Sequence, residues 1–462
     1  MADTVARATA SRVHDGGVVA EQTFSKGQDN DPVRRFPKVN GRRLNILVSC
    51  YACDPELGSE PGMGGNWVLQ LARHHDLWVL TEANRFAPAL TRYLDRHCPE
   101  LKSAIHVIGI PRQRFGEKIW QHFFYYWTYR RWQKDALRVA RELHSQIEFD
   151  LAHQLNMIGY REPGYLWQLG IPFVWGPIGG HAQMPWRFLC ALGAKGALHH
   201  GLRNCLNAVQ MQGSVRVKKA IRRADILLAA TQDDQKAIQR IHGRKPTLLN
   251  EVGTAPLVSR AEKDFQIGTR PLRVAWCGTF VSRKALPIAL KAIQRAARKV
   301  SVQLDIVGSG ECEKLWKSVA EKLGNSSLFI WHGSVPHDDA MDIIRRSDVM
   351  LLTSLQEATA TVVVEALQFG VPVICHDLCG FGAIVTETSG VKIPVNSPRQ
   401  SCHAFAEAIV RVSQNPEILR ALSEGALQRA REISWPNQTS VMLNCYQQAV
   451  QLHSLETNQS VS

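Results

Sequence analysis

No stretch of the chain approaches 18 consecutive apolar residues, so no membrane-spanning helix is expected. The first forty residues hold no apolar core of the kind that opens a secretion signal. They are polar, mixed in charge and rich in Gly, Ser and Asp, which reads as a disordered tail and predicts a cytosolic protein. A disulfide framework is also missing. The 11 Cys are odd in number and scattered, as in a chain that keeps its thiols reduced. Cys50 and Cys53 form a lone Cys-x-x-Cys, and Cys375 and Cys379 a looser pair. Neither has two further ligands at suitable spacing, so no metal site is expected. Acidic charge is in short supply: 41 Asp and Glu stand against 55 Lys and Arg, giving a net charge of +14. That balance favours anionic partners, whether phosphorylated substrates, phospholipid headgroups or nucleic acid. No zinc-finger, helix-turn-helix or RNA-binding signature accompanies it, which sets nucleic acid last.

At 462 residues the chain is long for one domain, and its 45% hydrophobic content can fill more than one core. Apolar runs begin at Leu44–Cys50 and recur at Asp76–Thr81, His106–Ile110, Phe149–His153, Pro172–Trp175 and Ala224–Thr231, with helical spacing between them. This alternation is that of an open α/β sheet. A long helix is expected from about Glu117 to His144, and a basic helical region from about Arg187 to Arg223. A second series starts at Arg273–Gly278. It continues at Val302–Gly308, Leu328–Trp331 and Val349–Leu352, and its last strand is expected at Val371–Cys375. The expected organisation is a disordered tail over 1–40, a first Rossmann-like domain over 41–255 and a linker over 256–271. A second such domain follows over 272–434, then a crossover helix and tail over 435–462.

The densest chemistry lies near the end of the second series. Glu357 and Glu365 stand eight residues apart, separated by a short polar turn and the start of a helix. A loop at a strand's C-terminal end is where doubly wound sheets bind ligands. The helix start offers free N–H groups and a positive dipole end, suited to a diphosphate. A phosphate cradle between two carboxylates suits a ligand with a charged centre and hydroxyl-rich ends, such as a nucleotide sugar. Arg283 and Lys284 follow Gly278 at another helix start, where cations are unfavourable without a nearby anion. Gly308-Ser309-Gly310 ends a further strand of the same half. In the first half, a Gly-rich loop over Gly58–Gly65, including Gly62 and Gly64, is expected to let backbone approach a phosphate or sugar. His153, Asn156, Arg161 and Glu162 cluster after another strand. Aromatics crowd one helix from Trp120 to Trp132, interleaved with Arg130 and Arg131, as a membrane-surface face or a face packed on a sheet.

Together these residues resemble the retaining glycosyltransferases of the GT-B fold, family 4, bacterial group 1 type. The resemblance runs from about residue 44 to 450. It rests on Glu357-x7-Glu365 with Gly370-Val371-Pro372-Val373-Ile374, on Gly278 through Arg283-Lys284, and on Gly308-Ser309-Gly310. In the first half it rests on His153–Met157, Arg161–Trp167 and Trp175–Gly180. The resemblance implies two Rossmann-like domains facing a central cleft, with a UDP- or GDP-linked sugar held by the second half. Glu365 would bind the ribose, and Glu357 would lie against the transferred sugar. The backbone of Thr359, Ala360 and Thr361 would hold hydroxyls and phosphate, and Arg283 and Lys284 would neutralise the diphosphate without a metal cofactor. The base would lie near His332 and Gly333. The N-terminal half, with Gly62, Gly64, Asn156, Arg161 and Glu162, would receive a glycan or lipid-linked acceptor. The chain departs from the pattern at two positions. Thr279 stands where many members have Arg. Leu155 stands where many have a second His, which weakens the case for His153 as a catalytic group. The implied enzyme belongs to polysaccharide or glycoconjugate biosynthesis, cytoplasmic or peripheral on the inner face of the cell membrane. A non-catalytic nucleotide-sugar-binding protein of the same fold is the alternative. A nicotinamide-dependent oxidoreductase would need G-x-G-x-x-G after the first strand, and residues 50–65 do not have that spacing.

Overall fold

The computed structural model describes residues 42–112, 125–255, 270–358 and 360–461. The expected tail over 1–40 and nearly all of the expected linker lie outside these residues. The N-terminal half carries β1 (Asn45–Cys50), β2 (Asp76–Glu82), β3 (Ile105–Ile110), β4 (Leu151–Asn156), β5 (Phe173–Ile178), β6 (Ile226–Ala229) and β7 (Thr247–Leu248). They form a seven-stranded sheet in the order β3-β2-β1-β4-β5-β6-β7. Its helices are α1 (Ser59–Ala72), α2 (Phe86–His97), α3 (Tyr125–Ile147), α4 (Gly193–Gly213), α5 (Val215–Arg223) and α6 (Gln232–His242).

The C-terminal half carries β8 (Leu272–Cys277), β9 (Val302–Val307), β10 (Phe329–Gly333), β11 (Val349–Leu352), β12 (Val373–His376) and β13 (Gly390–Ile393). These form a six-stranded sheet in the order β10-β9-β8-β11-β12-β13. Its helices are α7 (Leu286–Ala296), α8 (Glu313–Leu323), α9 (His337–Arg346), α10 (Thr361–Gln368), α11 (Cys379–Ile384), α12 (Pro398–Gln414), α13 (Pro416–Glu432) and α14 (Trp435–Val461). Every strand pair is parallel, and the inner strands are buried on both faces, which is why they read as continuous apolar runs. Among the described residues no helix is long and apolar enough to cross a membrane.

Two short strands escaped the sequence reading. β7 follows β6, and β13 follows β12, each at the sheet's edge. Both are two to four residues long and carry no apolar run of their own. The Gly-rich stretch also differs from the expected loop, because α1 already begins at Ser59. Its glycines serve packing. A Cβ at Gly64 would stand 2.6 Å from the Ala52 carbonyl and from the Asn156 amide nitrogen, and one at Gly62 would stand 1.8 Å from the Leu57 carbonyl. The helix therefore lies directly on the β1–α1 turn.

The chain passes between the halves twice, and the two passages lie side by side. Thr254 N donates to Ile433 O at 3.1 Å, and Trp435 N donates to Thr254 O at 3.0 Å. A Cβ at Gly253 would meet Trp435 N at 2.8 Å, so only glycine fits there. Trp67 closes the junction, edge-on to Trp435 at 5.2 Å between centroids, with its indole N–H on Glu251 O at 2.8 Å. α14 then runs back onto the first sheet. There Tyr446 reaches His153, with 2.7 Å from its hydroxyl to Nδ1. The other ring nitrogen lies 2.7 Å from Gly176 O. A carbonyl only accepts, so Nε2 carries the proton and Nδ1 accepts from Tyr446.

Burial holds His153 neutral by pushing its pKa down to about 4. The unfolded imidazole takes a proton at higher pH than the folded one. Its contribution is therefore present above about pH 6.5 and lost as pH falls toward 4. Thermal unfolding should show a midpoint that drops across that window, with a shallower drop in a His153→Gln variant. Tyr446→Phe should cost about 1–3 kcal/mol, because it strands a buried acceptor. A urea midpoint equal to that of the wild type would remove this bridge from the stability of the fold.

Candidate functional site

The two sheets meet through the C-terminal ends of their strands. After β5, Ala182 O accepts from Gln356 Nε2, which follows β11, at 2.7 Å. After β6, Asp233 accepts from Cys379 N, which follows β12, at 3.3 Å. His200 of α4 meets Ser282, which follows β8, with Nε2 and Oγ 3.2 Å apart. All of these junctions bound one cleft, the place where open parallel sheets bind ligands.

On the C-terminal side of the cleft three turns interlock. Gly308 takes a left-handed φ of +129°, and a Cβ there would stand 2.1 Å from Gly278 O. Gly308 N donates to Gly333 O at 2.7 Å, and a Cβ at Gly310 would press on Phe280 O at 2.7 Å. This is the physical reason for the glycines: the ends of β8, β9 and β10 approach backbone to backbone. His332 is fixed beside them by Asp305 Oδ1 at 2.7 Å.

Ser282–Lys284 form one 3-10 turn, closed by Ala285 in a left-handed conformation. Leu355 N donates to Arg283 O at 2.8 Å, and Thr353 Oγ1 donates to Lys284 O at 3.0 Å. These bonds lock the cationic turn to the loop after β11. Lys284 Nζ then stands 2.6 Å from Glu357 Oε1, and an Arg283 guanidinium nitrogen 3.6 Å from the same oxygen. Arg283 also donates to Gln356 O at 3.0 Å. Glu357 Oε1 is buried, and both cations face it. The Glu357 side chain is 9% exposed and that of Lys284 10%, enough burial to strengthen their attraction.

Ala360 precedes α10 without a side-chain cap, so the first N–H groups of that helix lack one. Thr361 opens the helix, and Thr359 lies outside the described residues. Glu365, one turn on, accepts from His337 Nε2 at 3.0 Å. Cys277 lies between the two carboxylate regions. Its thiol is pushed up to about 11 by burial, with Glu365 adding to the rise and Lys284 opposing it.

The N-terminal candidates are placed differently. His153 is fully enclosed with both ring nitrogens engaged, so the expected catalytic role has no open nitrogen behind it. Asn156 is buried and holds Ala52 through both amide atoms. Glu162 is buried between Arg130 and Arg216, at 2.9 and 2.6 Å. Arg161 donates to Gln210 at 2.6 Å and stacks over Tyr160. Gly62 and Gly64 pack α1 and open no space. These residues build the wall of the cleft. Sequence reasoning missed two groups there. Glu60 accepts from Ile158 N at 2.6 Å, and burial raises its pKa. His181 is clamped by Asp234 at 2.9 Å and stacked on Tyr160. An acid inside a Gly-rich stretch was the available signal for the first. The second pair lies too far apart in sequence to announce itself. Among the described residues no cluster of His, Cys, Asp and Glu is arranged to hold a metal.

Two parallel sheets joined in this way form the GT-B architecture. Sucrose-phosphate synthase from Thermosynechococcus elongatus overlays with a TM-score of 0.59 at 16% identity, over 88% of this chain and 99% of that one. HepE of Anabaena, solved with UDP and glucose, overlays with 0.56 at 16% identity, over 87% and 99%. Residues 259–429 match the family described as glycosyl transferases group 1. Over that C-terminal stretch the chain is similar to the group 1 glycosyltransferases, and its two sheets share the GT-B fold of the solved structures. D-inositol 3-phosphate glycosyltransferase of Saccharomonospora viridis is 24% identical over 338 residues, 67% of this chain and 76% of that protein. Other curated relatives of the same description are matched over 52% to 58% of their length.

The His337–Glu365 pair should titrate. The hydrogen bond that His337 donates to Glu365 raises the His337 pKa, so the ion pair is intact below the ordinary imidazole range and is lost as pH rises through the raised value. Glu365 is then freed for a ligand hydroxyl. Nucleotide affinity by calorimetry should rise between about pH 6 and pH 8 in the wild type and stay flat in His337→Ala. Parallel curves for the two proteins would refute the coupling.

Proposed function

We propose that this protein is a retaining glycosyltransferase that moves a sugar, read as a hexose, from a UDP- or GDP-linked donor to a glycan or lipid-linked acceptor. It would serve polysaccharide or glycoconjugate assembly on the cytoplasmic face of a membrane. One observation carries the reading: Lys284 and Arg283 converge on Glu357 beside the glycine turns, with the uncapped start of α10 in the same half. Breaking the anomeric C–O bond builds positive charge on the sugar and negative charge on the departing diphosphate. Fixed cations and helix N–H groups stabilise the second, and they need no rearrangement as that charge grows. Glu357, paired with Lys284, lies against the transferred sugar. Glu365 takes the ribose hydroxyls, and His332 and Gly333 flank the base. The names of the relatives support the same class, since they transfer sugars, and HepE is solved with UDP and glucose. The reading uses no cofactor, and retention is assigned to front-face attack by the acceptor.

Release of nucleoside diphosphate in the presence of candidate donors and acceptors tests the activity itself. Lys284→Ala should lower kcat more than it raises donor KM, because diphosphate charge is larger in the transition state than in the ground state. Wild-type turnover in that variant would defeat the leaving-group role, and Arg283→Ala should move the same way. Glu365→Ala should weaken donor binding by about 1–3 kcal/mol, the loss of a charged acceptor for hydroxyls. Unchanged donor affinity in the folded variant would take Glu365 out of the site.

A further inference from the structure

The face first expected to meet a membrane is divided, with Tyr126 and Trp127 about half exposed. Tyr129 and Trp132 are fully buried in the core under the first sheet, and Trp120 lies outside the described residues. A longer exposed apolar stripe runs along α4.

α4 is built the reverse way from an ordinary surface helix. His200, Asn204 and Asn207 point inward and are buried to within 4%. Leu198, Leu202, Leu206 and Val209 point outward, and each keeps half or more of its surface exposed. Their spacing of four, four and three residues draws one stripe along the helix. Apolar side chains turned to water along several turns are costly unless something covers them. Trp186, exposed in the turn leading into α4, extends the patch at one end.

The surrounding charge is of one sign. No Asp or Glu occurs between Glu162 and Asp225. Arg203 lies on the flank of the stripe, with no acidic partner among the described residues. The next helix, α5, exposes Lys218, Lys219, Arg222 and Arg223. A second copy of this chain pairing stripe to stripe would bring these cations against their own kind. A bilayer with acidic headgroups matches both features at once. Its hydrocarbon edge takes the leucines, and its phosphates take the cations.

We propose that α4 is an interfacial docking helix, seating the protein on an anionic membrane through Leu198, Leu202, Leu206 and Val209. This rests on the proposed function for its purpose. The opposite side of the same helix, at His200, touches Ser282 beside Arg283 and Lys284. An acceptor anchored in the bilayer would therefore meet the protein where the donor diphosphate is held.

The test is flotation with vesicles of phosphatidylcholine alone and with about one third phosphatidylglycerol, on the full chain and on Leu202→Glu/Leu206→Glu. Both leucines are exposed, so the variant should fold, and its circular dichroism and melting curve verify that. The wild type should float only with anionic vesicles, and the variant should bind them at least about tenfold more weakly. Lys218→Glu/Lys219→Glu should also weaken binding, and salt should reverse it in the wild type. Equal flotation of wild type and leucine variant would overturn the proposal in favour of charge alone. So would a failure of the wild type to float. A dimer in light scattering that the leucine variant splits, with no flotation, would assign the stripe to a second copy and overturn it as well. Thermal shift with UDP and GDP runs in parallel. Vesicle binding without any nucleotide shift would strike the transferase reading and leave the docking helix standing.

Discussion

The double passage between the halves is the constraint on which the rest depends. Two segments far apart in sequence, at Gly253-Thr254 and Ile433–Trp435, hydrogen-bond side by side, with Trp67 packed against them. A single passage would leave the second sheet free to swivel. Two passages in register, plus α14 anchored at His153 through Tyr446, fix which ends of the strands oppose each other. The cleft, and every distance across it, follows from that.

Within the cleft the two sides have different characters. The C-terminal side concentrates charge: cations held by backbone bonds, a carboxylate paired with them, and glycines that let three strand ends touch. On the N-terminal side His153, Asn156 and Glu162, conspicuous in the sequence, are already engaged within the fold. A buried polar group is stable only when paired, so many of these groups serve the fold. The outward leucines of α4 reverse this logic, and their exposure sets that helix apart from its neighbours.

The α/β alternation was legible because buried parallel strands are short apolar runs. β1 and β8 to β12 fall within about two residues of where the runs predict them. Edge strands β7 and β13 were not, since an edge strand of so few residues needs no such run. The meeting of the C-terminal turns was legible because their residues cluster in short motifs at strand ends: Gly278 to Lys284, Gly308 to Gly310, and Glu357 to Glu365. The Gly58–Gly65 stretch misled, because glycine marks close backbone approach without saying whether the neighbour is a ligand or the protein's own chain.

By itself, the sequence determined the fold class, where most strands end, and the basic balance of charge. Those are consequences of local periodicity and composition. Tertiary structure alone decided that His153, Asn156 and Glu162 are bonded internally, that His337 pairs with Glu365, and that one face of α4 points its leucines into solvent. Each depends on what a side chain meets from a distant part of the chain. Periodicity says that a helix has an apolar side, and only packing says which side is covered.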